Sequence, residues 1–225
     1  MILVTGASRG IGSALCAHFS GKGLPVLGLA RSPVQADFDT AVCDVTDPHA
    51  LRVLAQRLLA EGRGVSVLIN AAGIASMNLA LTTPPATAEA IVKTNLLGTI
   101  YTCQQFVPHM IRAKAGRVIN FSTIAVSLAL EGESVYVASK AGVEAFTRTF
   151  AREVAGFGIT VNCIAPGPID TDLIKGVPDV KIQRIVERQV IKRKFSPAEV
   201  CALADMLMSE PASTLTGQVF HLGGV

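Results

Sequence analysis

Tyr136 and Lys140, four residues apart in "YVASK", are the residues of this chain best placed to move a proton. Residues i and i+4 share one face of a helix, so a phenol and an ammonium can meet in one cleft. A free tyrosine, with a pKa near 10, is a poor acid or base at neutral pH, and bringing it to about 7 takes roughly 4 kcal/mol. An ammonium about 4–5 Å away supplies roughly 3–4 kcal/mol at an effective dielectric near 20, while desolvation pulls the other way. The lysine is nearly sufficient, and further charge or hydrogen bonds must complete the shift. An oxygen that receives the proton needs a second donor to hold it. Two hydroxyls, Ser122 and Thr123, follow the apolar run "RVINF". Adjacent strand residues point to opposite faces, so one of the two, not both, should reach the cleft.

The elements that must position these groups alternate along the chain. "MILVT" reads as a strand, and "GIGSALCAHFSGKG" has helical spacing through Ile11, Leu15 and Phe19. "LPVLGLA" and "TAVCD" read as strands. "DVTDPHALRVLAQRLLAEG" is a helix capped by Thr46 or Asp47, with Pro48 in its first turn. "VSVLINAAG" is a buried strand running into a glycine turn. A helical pattern follows from Ala86 to Ala113, then the strand "RVINFS" and a long helix from Val135 to Gly156. "ITVNCIAPG" breaks at Pro166-Gly167. Two helices and the strand "GQVFHLGG" complete the pattern. Apolar strands without alternation suit a sheet covered on both faces. The strand–helix repetition implies an α/β fold: one doubly wound Rossmann domain over residues 1–225, with about seven parallel strands and right-handed crossovers. A substrate-binding segment is expected at residues 168–196.

The turn after the first strand is "TGASRGIG", Thr5 to Gly12. A strand, a glycine turn and a helix start form the setting in which a dinucleotide pyrophosphate sits on free N–H groups. Gly6 permits the turn, Gly10 lets the backbone approach the phosphates, and Gly12 allows close helix packing. The spacing is Gly-x-x-x-Gly-x-Gly rather than the commoner Gly-x-Gly-x-x-Gly. The end of the second strand should reach the adenosine ribose. There stand Ala30 and Arg31, with no acid before Asp37, and Arg9 lies inside the glycine turn. Two guanidiniums favour a 2′-phosphate, hence NADP over NAD.

Composition narrows the classes. A chain of 225 residues, half of them apolar, can bury a good core. A formal charge of +3 makes no general case for nucleic acid or an anionic membrane surface. No apolar run approaches the roughly 18 residues of a membrane span. The opening "MILVTGASRG" lacks the features of a signal peptide. Five scattered cysteines with no CxxC read as buried thiols in a reducing compartment, so a cytoplasmic location is expected. The four dispersed histidines show no ligand spacing, so no metal is expected.

With the glycine turn and Tyr136-x-x-x-Lys140 both in hand, the chain resembles the short-chain dehydrogenase/reductases along essentially its whole length. The motifs that carry the resemblance are "TGASRGIG", "CDV" at Cys43, "NAAG" at Asn70, "TNLLG" around Asn95, "YVASK", and "APGPIDT" at Ala165 to Thr171. Within the family it is similar to the β-ketoacyl-[acyl carrier protein] reductases. The resemblance implies residue roles. Asp44 would hydrogen-bond the adenine, with Val45 beside the ring. Asn70 would brace the sheet near the ribose, and Ala71, Ala72 and Gly73 would line the cofactor groove with Ser8, Arg9, Ile11 and Arg31. Pro166, Gly167, Ile169 and Thr171 would meet the nicotinamide end. Asn95 would hold a backbone kink and a water feeding Lys140. Lys140 would hold the nicotinamide ribose while Tyr136 passes a proton to the substrate oxygen. The family places its second hydroxyl thirteen residues before the tyrosine, usually as serine. Here that position is Thr123, with Ser122 as the alternative.

The resemblance also implies an NADPH-dependent reductase of 3-oxoacyl thioesters in fatty acid biosynthesis, assembled as a homotetramer or homodimer. An acidic acyl carrier protein would meet Lys114 and Lys175, and the segment Lys181 to Lys194 adds further basic residues. One rival is an oxidoreductase of another carbonyl, of polyketide, steroid or sugar type, with the same catalytic residues. The other is an NADP-binding sensor or scaffold without turnover, against which Asn95, Tyr136 and Lys140 together argue.

Overall fold

A computed structural model of the protein describes residues 1–171 and 177–225. Strand β1 (Ile2–Thr5) and helix α1 (Gly10–Gly21) lead to β2 (Val26–Ala30) and β3 (Asp39–Val42). Helix α2 (Pro48–Ala60) starts at Asp47, whose carboxylate accepts from the His49 and Ala50 amides at 2.9 and 3.0 Å. Those bonds satisfy two of the donors that a helix start leaves free. After β4 (Val67–Asn70) come α3 (Pro85–Val92), a π-helical turn at Lys93–Leu97, and α4 (Gly98–Ala113). Then follow β5 (Gly116–Phe121), a short α5 (Ala125–Leu128) and α6 (Ser134–Val154). The order closes with β6 (Ile159–Pro166), α7 (Asp179–Glu187), α8 (Pro197–Met208) and β7 (Val219–Leu222).

The seven strands form one sheet in the order β3-β2-β1-β4-β5-β6-β7, and every pairing is parallel. The chain winds outward from β1 to β3, returns to β4, and winds outward the other way. The strand order therefore reverses between β1 and β4, and a crevice opens beyond their carboxyl ends. Thr5 pairs with Asn70 at that point, and Asn70 pairs with Asn120.

Both faces of the sheet are covered, which is why β1, β2, β4 and β6 are buried without alternation. On one face Leu3, Leu68 and Val118 pack with Leu58 of α2, Phe106 and Met110 of α4, and Ala151 of α6. On the other, Val4, Ile69 and Ile164 pack with Leu15 and Phe19 of α1 and Leu207 of α8. Each such large side chain, fully buried, contributes about 1.5–3 kcal/mol. Phe146 and Phe150 of α6 stack at 5.0 Å and lean on the first layer.

A buried amide relay ties the layers together. The Asn70 side chain donates to Asn120 at 2.9 Å and accepts from Thr102 at 2.7 Å, while Asn120 donates to Thr147 at 2.9 Å. Buried amides must be paired in this way to avoid a desolvation penalty. The continuous helix expected over Ala86–Ala113 is interrupted by the π-helical turn, which carries Asn95. The short α5 forms between β5 and α6, where the sequence pattern gives no element.

Candidate active site

One groove crosses the carboxyl ends of the strands. Its adenosine end is lined by Leu29, Ala30, Arg31, Cys43 and Val45, and its floor by Gly6, Gly10, Gly12 and Ala71 to Gly73. A Cβ on Gly12 would collide with the Gly6 carbonyl, so α1 can lie against the turn only with glycine there. Gly10 adopts φ +59°, and a Cβ on it would meet nothing closer than Thr171 at 3.8 Å. Its position therefore faces open groove. The first turn of α1 has no side-chain cap and no acid, so its N–H groups and positive potential are free for an anion. A nicotinamide dinucleotide fits this donor set. Ser8 and Arg9 are exposed beside it, Ile11 lines it, and Arg31 extends from the end of β2.

Several residues expected at the cofactor lie behind the wall. Asn70 is 3% exposed, and its amide is spent on the relay. It braces the sheet below the groove rather than lining it. Asp44 turns one carboxylate oxygen to the Thr46 amide at 2.8 Å, while its neighbours Cys43 and Val45 line the groove. Asn95 is fully buried, and its side chain pins Ile74 from both sides. Its oxygen accepts from the Ile74 amide at 2.8 Å, and its nitrogen donates to the Ile74 carbonyl at 2.9 Å and the Ser139 hydroxyl at 3.0 Å. Ser139 in turn donates to the Tyr136 carbonyl at 2.7 Å. Asn95 thus links the loop after β4 to the first turns of α6. Its own carbonyl accepts from Thr99 at 2.9 Å.

At the other end of the groove stand Tyr136, Lys140, Ser122 and Thr123. The two hydroxyls part. Ser122, 4% exposed, donates to the Glu144 carboxylate at 2.7 Å. Thr123 accepts from the Ala125 amide at 3.2 Å, which leaves its hydrogen to donate, and the nearness of its hydroxyl favours the ionised form of the Tyr136 phenol. That influence is outweighed. Burial, and then the Glu133 carboxylate, push the Tyr136 pKa well above its usual value. Lys140 is buried as well, which brings its pKa down to about 8, and its Nζ donates to the Phe121 carbonyl at 2.9 Å. The lowering of the tyrosine expected from spacing alone is therefore not met in this structure. The ammonium is turned to the end of β5, and desolvation dominates the phenol.

Pro166, Gly167, Ile169 and Thr171 border the same end of the groove, and Ile169 bridges to Phe195. The substrate side is apolar: Ile74, Met77, Leu130, Val177, Ile182 and Ile185. Ile182 and Ile185 come from α7, so the 168–196 segment supplies part of this wall. Arg188, the C-cap of α7, donates to the Leu128 carbonyl at 2.7 Å, tying the end of that helix to the end of α5. Two acids stand beside these groups: Glu133 falls in "LALEGES", a stretch expected to supply substrate wall, and Glu144 was not foreseen. Glu133 lines the substrate side, and Glu144 lies beneath Ser122. Glu144 sits four residues after Lys140, a spacing that could have flagged it.

The basic residues proposed for a partner are divided. Lys175 lies outside the described residues. Lys114 caps α4 in a left-handed conformation at the start of β5. The length of β5, about 3.3 Å per residue, separates it from the groove. In the 181–194 segment, Lys192 pairs with Glu187 at 3.5 Å and Arg193 with Glu199 at 2.6 Å. Among the described residues, no group of three or more His, Cys, Asp or Glu could hold a metal, and no helix is long and apolar enough to cross a membrane.

Comparison with known proteins agrees with this architecture. Residues 1–181 match the family model of the short chain dehydrogenases. The chain is 33% identical over 231 aligned positions to the 3-oxoacyl-[acyl-carrier-protein] reductase of Vibrio cholerae serotype O1, covering 99% of this chain and 95% of that protein. Among solved structures it is similar to the ligand-free aldohexose dehydrogenase of Thermoplasma acidophilum, with TM-score 0.90 and 30% identity over 99% of this chain and 92% of that one. It is also similar to a 4-hydroxyisoleucine dehydrogenase complexed with NADH, with TM-score 0.90 and 25% identity over 99% and 97% of the two chains.

Proposed function

The chain belongs to the short-chain dehydrogenase family, an oxidoreductase of CH–OH and C=O groups with a nicotinamide cofactor, and from that premise we propose an NADPH-dependent reductase of 3-oxoacyl thioesters. The observation that supports the chemistry best is that Tyr136 and Thr123 both line the wall of a groove whose other end is the glycine cradle. The apolar wall of Ile74, Met77, Leu130, Ile182 and Ile185 suits an acyl chain, and similarity to a 3-oxoacyl reductase over nearly the whole chain supports the thioester. Arg9 and Arg31, both lining the groove, support NADPH.

In this reading a bound nicotinamide supplies the hydride. Gly10, Gly12 and the N–H groups of α1 hold the pyrophosphate. Thr123 and Tyr136 hold the substrate oxygen, Tyr136 passes its proton to that oxygen, and Lys140 steadies the ribose and favours the phenolate left behind. Asn95 is a positioning residue that fixes Ile74 against α6. Ser122 stays with Glu144 and takes no part. We also propose assembly into a homodimer or homotetramer, and docking of an acidic carrier on the exposed Lys181, Arg184 and Lys194 beside the cleft. Carrier docking makes the KM for carrier-bound substrate rise with salt, while that for a small thioester does not.

The test is NADPH and NADH oxidation with an acetoacetyl thioester, for wild type and Tyr136→Phe. Fast NADPH use, slow NADH use and an inactive variant bear the proposal out. No turnover of the thioester by wild type removes it. The second reading is a hydroxylated substrate of sugar type. It is favoured by the carboxylate of Glu133 in the substrate wall and by likeness to an aldohexose dehydrogenase.

A further inference from the structure

Glu133 is the polar group of the substrate wall that no step above employs. It immediately precedes α6, one helical turn before Tyr136, and borders the same groove. Its backbone carbonyl accepts from the Val137 amide at 2.7 Å, but its carboxylate makes no capping bond. The helix start therefore does not depend on the side chain. Among the described residues the carboxylate takes no hydrogen bond and makes no ion pair within 4.0 Å. The rest of the wall is apolar. Burial raises its pKa, and the more distant Lys181 ammonium opposes that rise. A half-buried carboxylate in an apolar wall is costly unless a donor meets it, and a site of this kind gains from a ligand that brings one. Apolar pockets commonly orient their ligands with a few polar groups of this sort.

We infer that Glu133 is the substrate-orienting acceptor of this enzyme: it takes an O–H or N–H donor that the substrate carries beyond its reacting carbonyl, and it turns away free carboxylates. The amide N–H in the arm of a thioester and a hydroxyl of a polyhydroxy ketone both present this chemistry. The inference rests on the reading of Tyr136 as proton donor, and not on the thioester.

The experiment uses matched pairs of probes. One pair is the acetoacetyl thioester of N-acetylcysteamine, which has an amide N–H, and S-ethyl acetothioacetate, which has none. The other is a hydroxylated ketone and its deoxy analogue. In wild type, kcat/KM favours the donor-bearing member of one pair by about 10–100-fold, the range of a hydrogen bond to a charged group. Glu133→Ala abolishes that preference, and Glu133→Gln, which keeps an oxygen, retains part of it. The pair that responds identifies the source of the donor. An equal loss on both members is what an effect through the Tyr136 pKa alone gives, and it overturns the inference, as does no change. Thermal shift of the cofactor-loaded protein by the same probes gives a readout without turnover. A larger shift from the donor-bearing probe in wild type, lost in Glu133→Ala, supports the inference, and equal shifts overturn it. If wild type turns over no probe, the proposed function falls, while the thermal shifts still decide the role of Glu133.

Discussion

Ser122 and Thr123 are neighbours with the same functional group, and the structure assigns them opposite consequences when it is removed. Ser122→Ala deletes the donor that lies 2.7 Å from Glu144, a carboxylate only 7% exposed. The remaining partner, Arg148, stands at 3.6 Å with its side chain 53% exposed. A hydrogen bond to a buried charged group contributes about 1.5–3 kcal/mol, and little solvent is at hand to replace it. Taking about 2 kcal/mol, and about 2–4 °C per kcal/mol for a domain of this size, the melting temperature should fall by roughly 4–8 °C. Turnover below that temperature should change little. Thr123→Ala leaves Glu144 untouched and removes the second donor to the substrate oxygen. A donor of that kind is worth about 100–1000-fold in kcat. Its melting temperature should stay within roughly 2 °C of wild type, because its one bond to the Ala125 amide is neutral and half-buried. The assay is a melting curve and a steady-state rate on each variant. A stable but inactive Ser122→Ala beside an active Thr123→Ala would refute the reasoning and return the catalytic role to Ser122.

Arg9→Ala and Arg31→Ala should each lower the NADPH-to-NADH ratio of kcat/KM by about tenfold, the loss of a charge-assisted bond to phosphate, with kcat on NADH unchanged. An unchanged ratio in both variants would sink the NADP assignment. Stability should fall as pH rises above 9. Burial pushes Cys16, Cys103 and Cys163 up to about 12 and Cys43 and Cys201 to about 11, whereas unfolded thiols ionise near their reference value of 9.0. Above that pH the native state holds the extra protons, so each thiol costs up to about 1.4 kcal/mol per pH unit. Lys140 opposes the trend from about pH 8, since the native state releases its proton before the unfolded chain does. Denaturant midpoints at pH 8 and pH 10 check the sign, and a midpoint that does not fall would contradict it.

The sheet, the glycine cradle and the Tyr136–Lys140 pair were legible in the sequence because each follows from a short-range rule. Apolar runs mark strands covered on both faces, and a spacing of four marks one side of a helix. The same kind of rule offered Thr46 or Asp47 as the cap of α2, and the structure uses Asp47. The resemblance implied a kink at Asn95, but the residues themselves did not show the π-helical turn at Lys93–Leu97, because an i→i+5 bond pattern has no residue signature and the stretch reads as ordinary helix. Contacts across the fold were hidden for another reason. Nothing in the run containing Asn70 says that its amide faces Asn120 and Thr102 rather than the groove. Glu144 belongs to Ser122 only because β5 and α6 pack together, 22 residues apart in the chain. The strand alternation rule separated Ser122 from Thr123, but it could not say what each would face.

The electrostatics of Tyr136 also depend on tertiary placement. Spacing invites the view that the lysine readies the tyrosine by itself. In the structure Lys140 gives its Nζ to the Phe121 carbonyl, and Tyr136 feels burial and Glu133 instead. Without cofactor, the phenol should therefore remain protonated to higher pH than a free tyrosine. The chain suits a direct titration, because it has two tyrosines and no tryptophan. Tyr101→Phe leaves Tyr136 as the single source of phenolate absorbance. Below the pH at which the fold is lost, cofactor-free protein should show no phenolate. Lys140→Met should leave that trace unchanged, since the ammonium is turned away. Glu133→Gln should move ionisation to lower pH by removing a repelling charge. Saturation with oxidised cofactor should bring the phenolate signal toward neutral pH, and Lys140→Met should abolish that shift. Phenolate that appears below pH 9 in the cofactor-free protein and disappears in Lys140→Met would overturn this, for the lysine would then be acting on the tyrosine before any cofactor is bound.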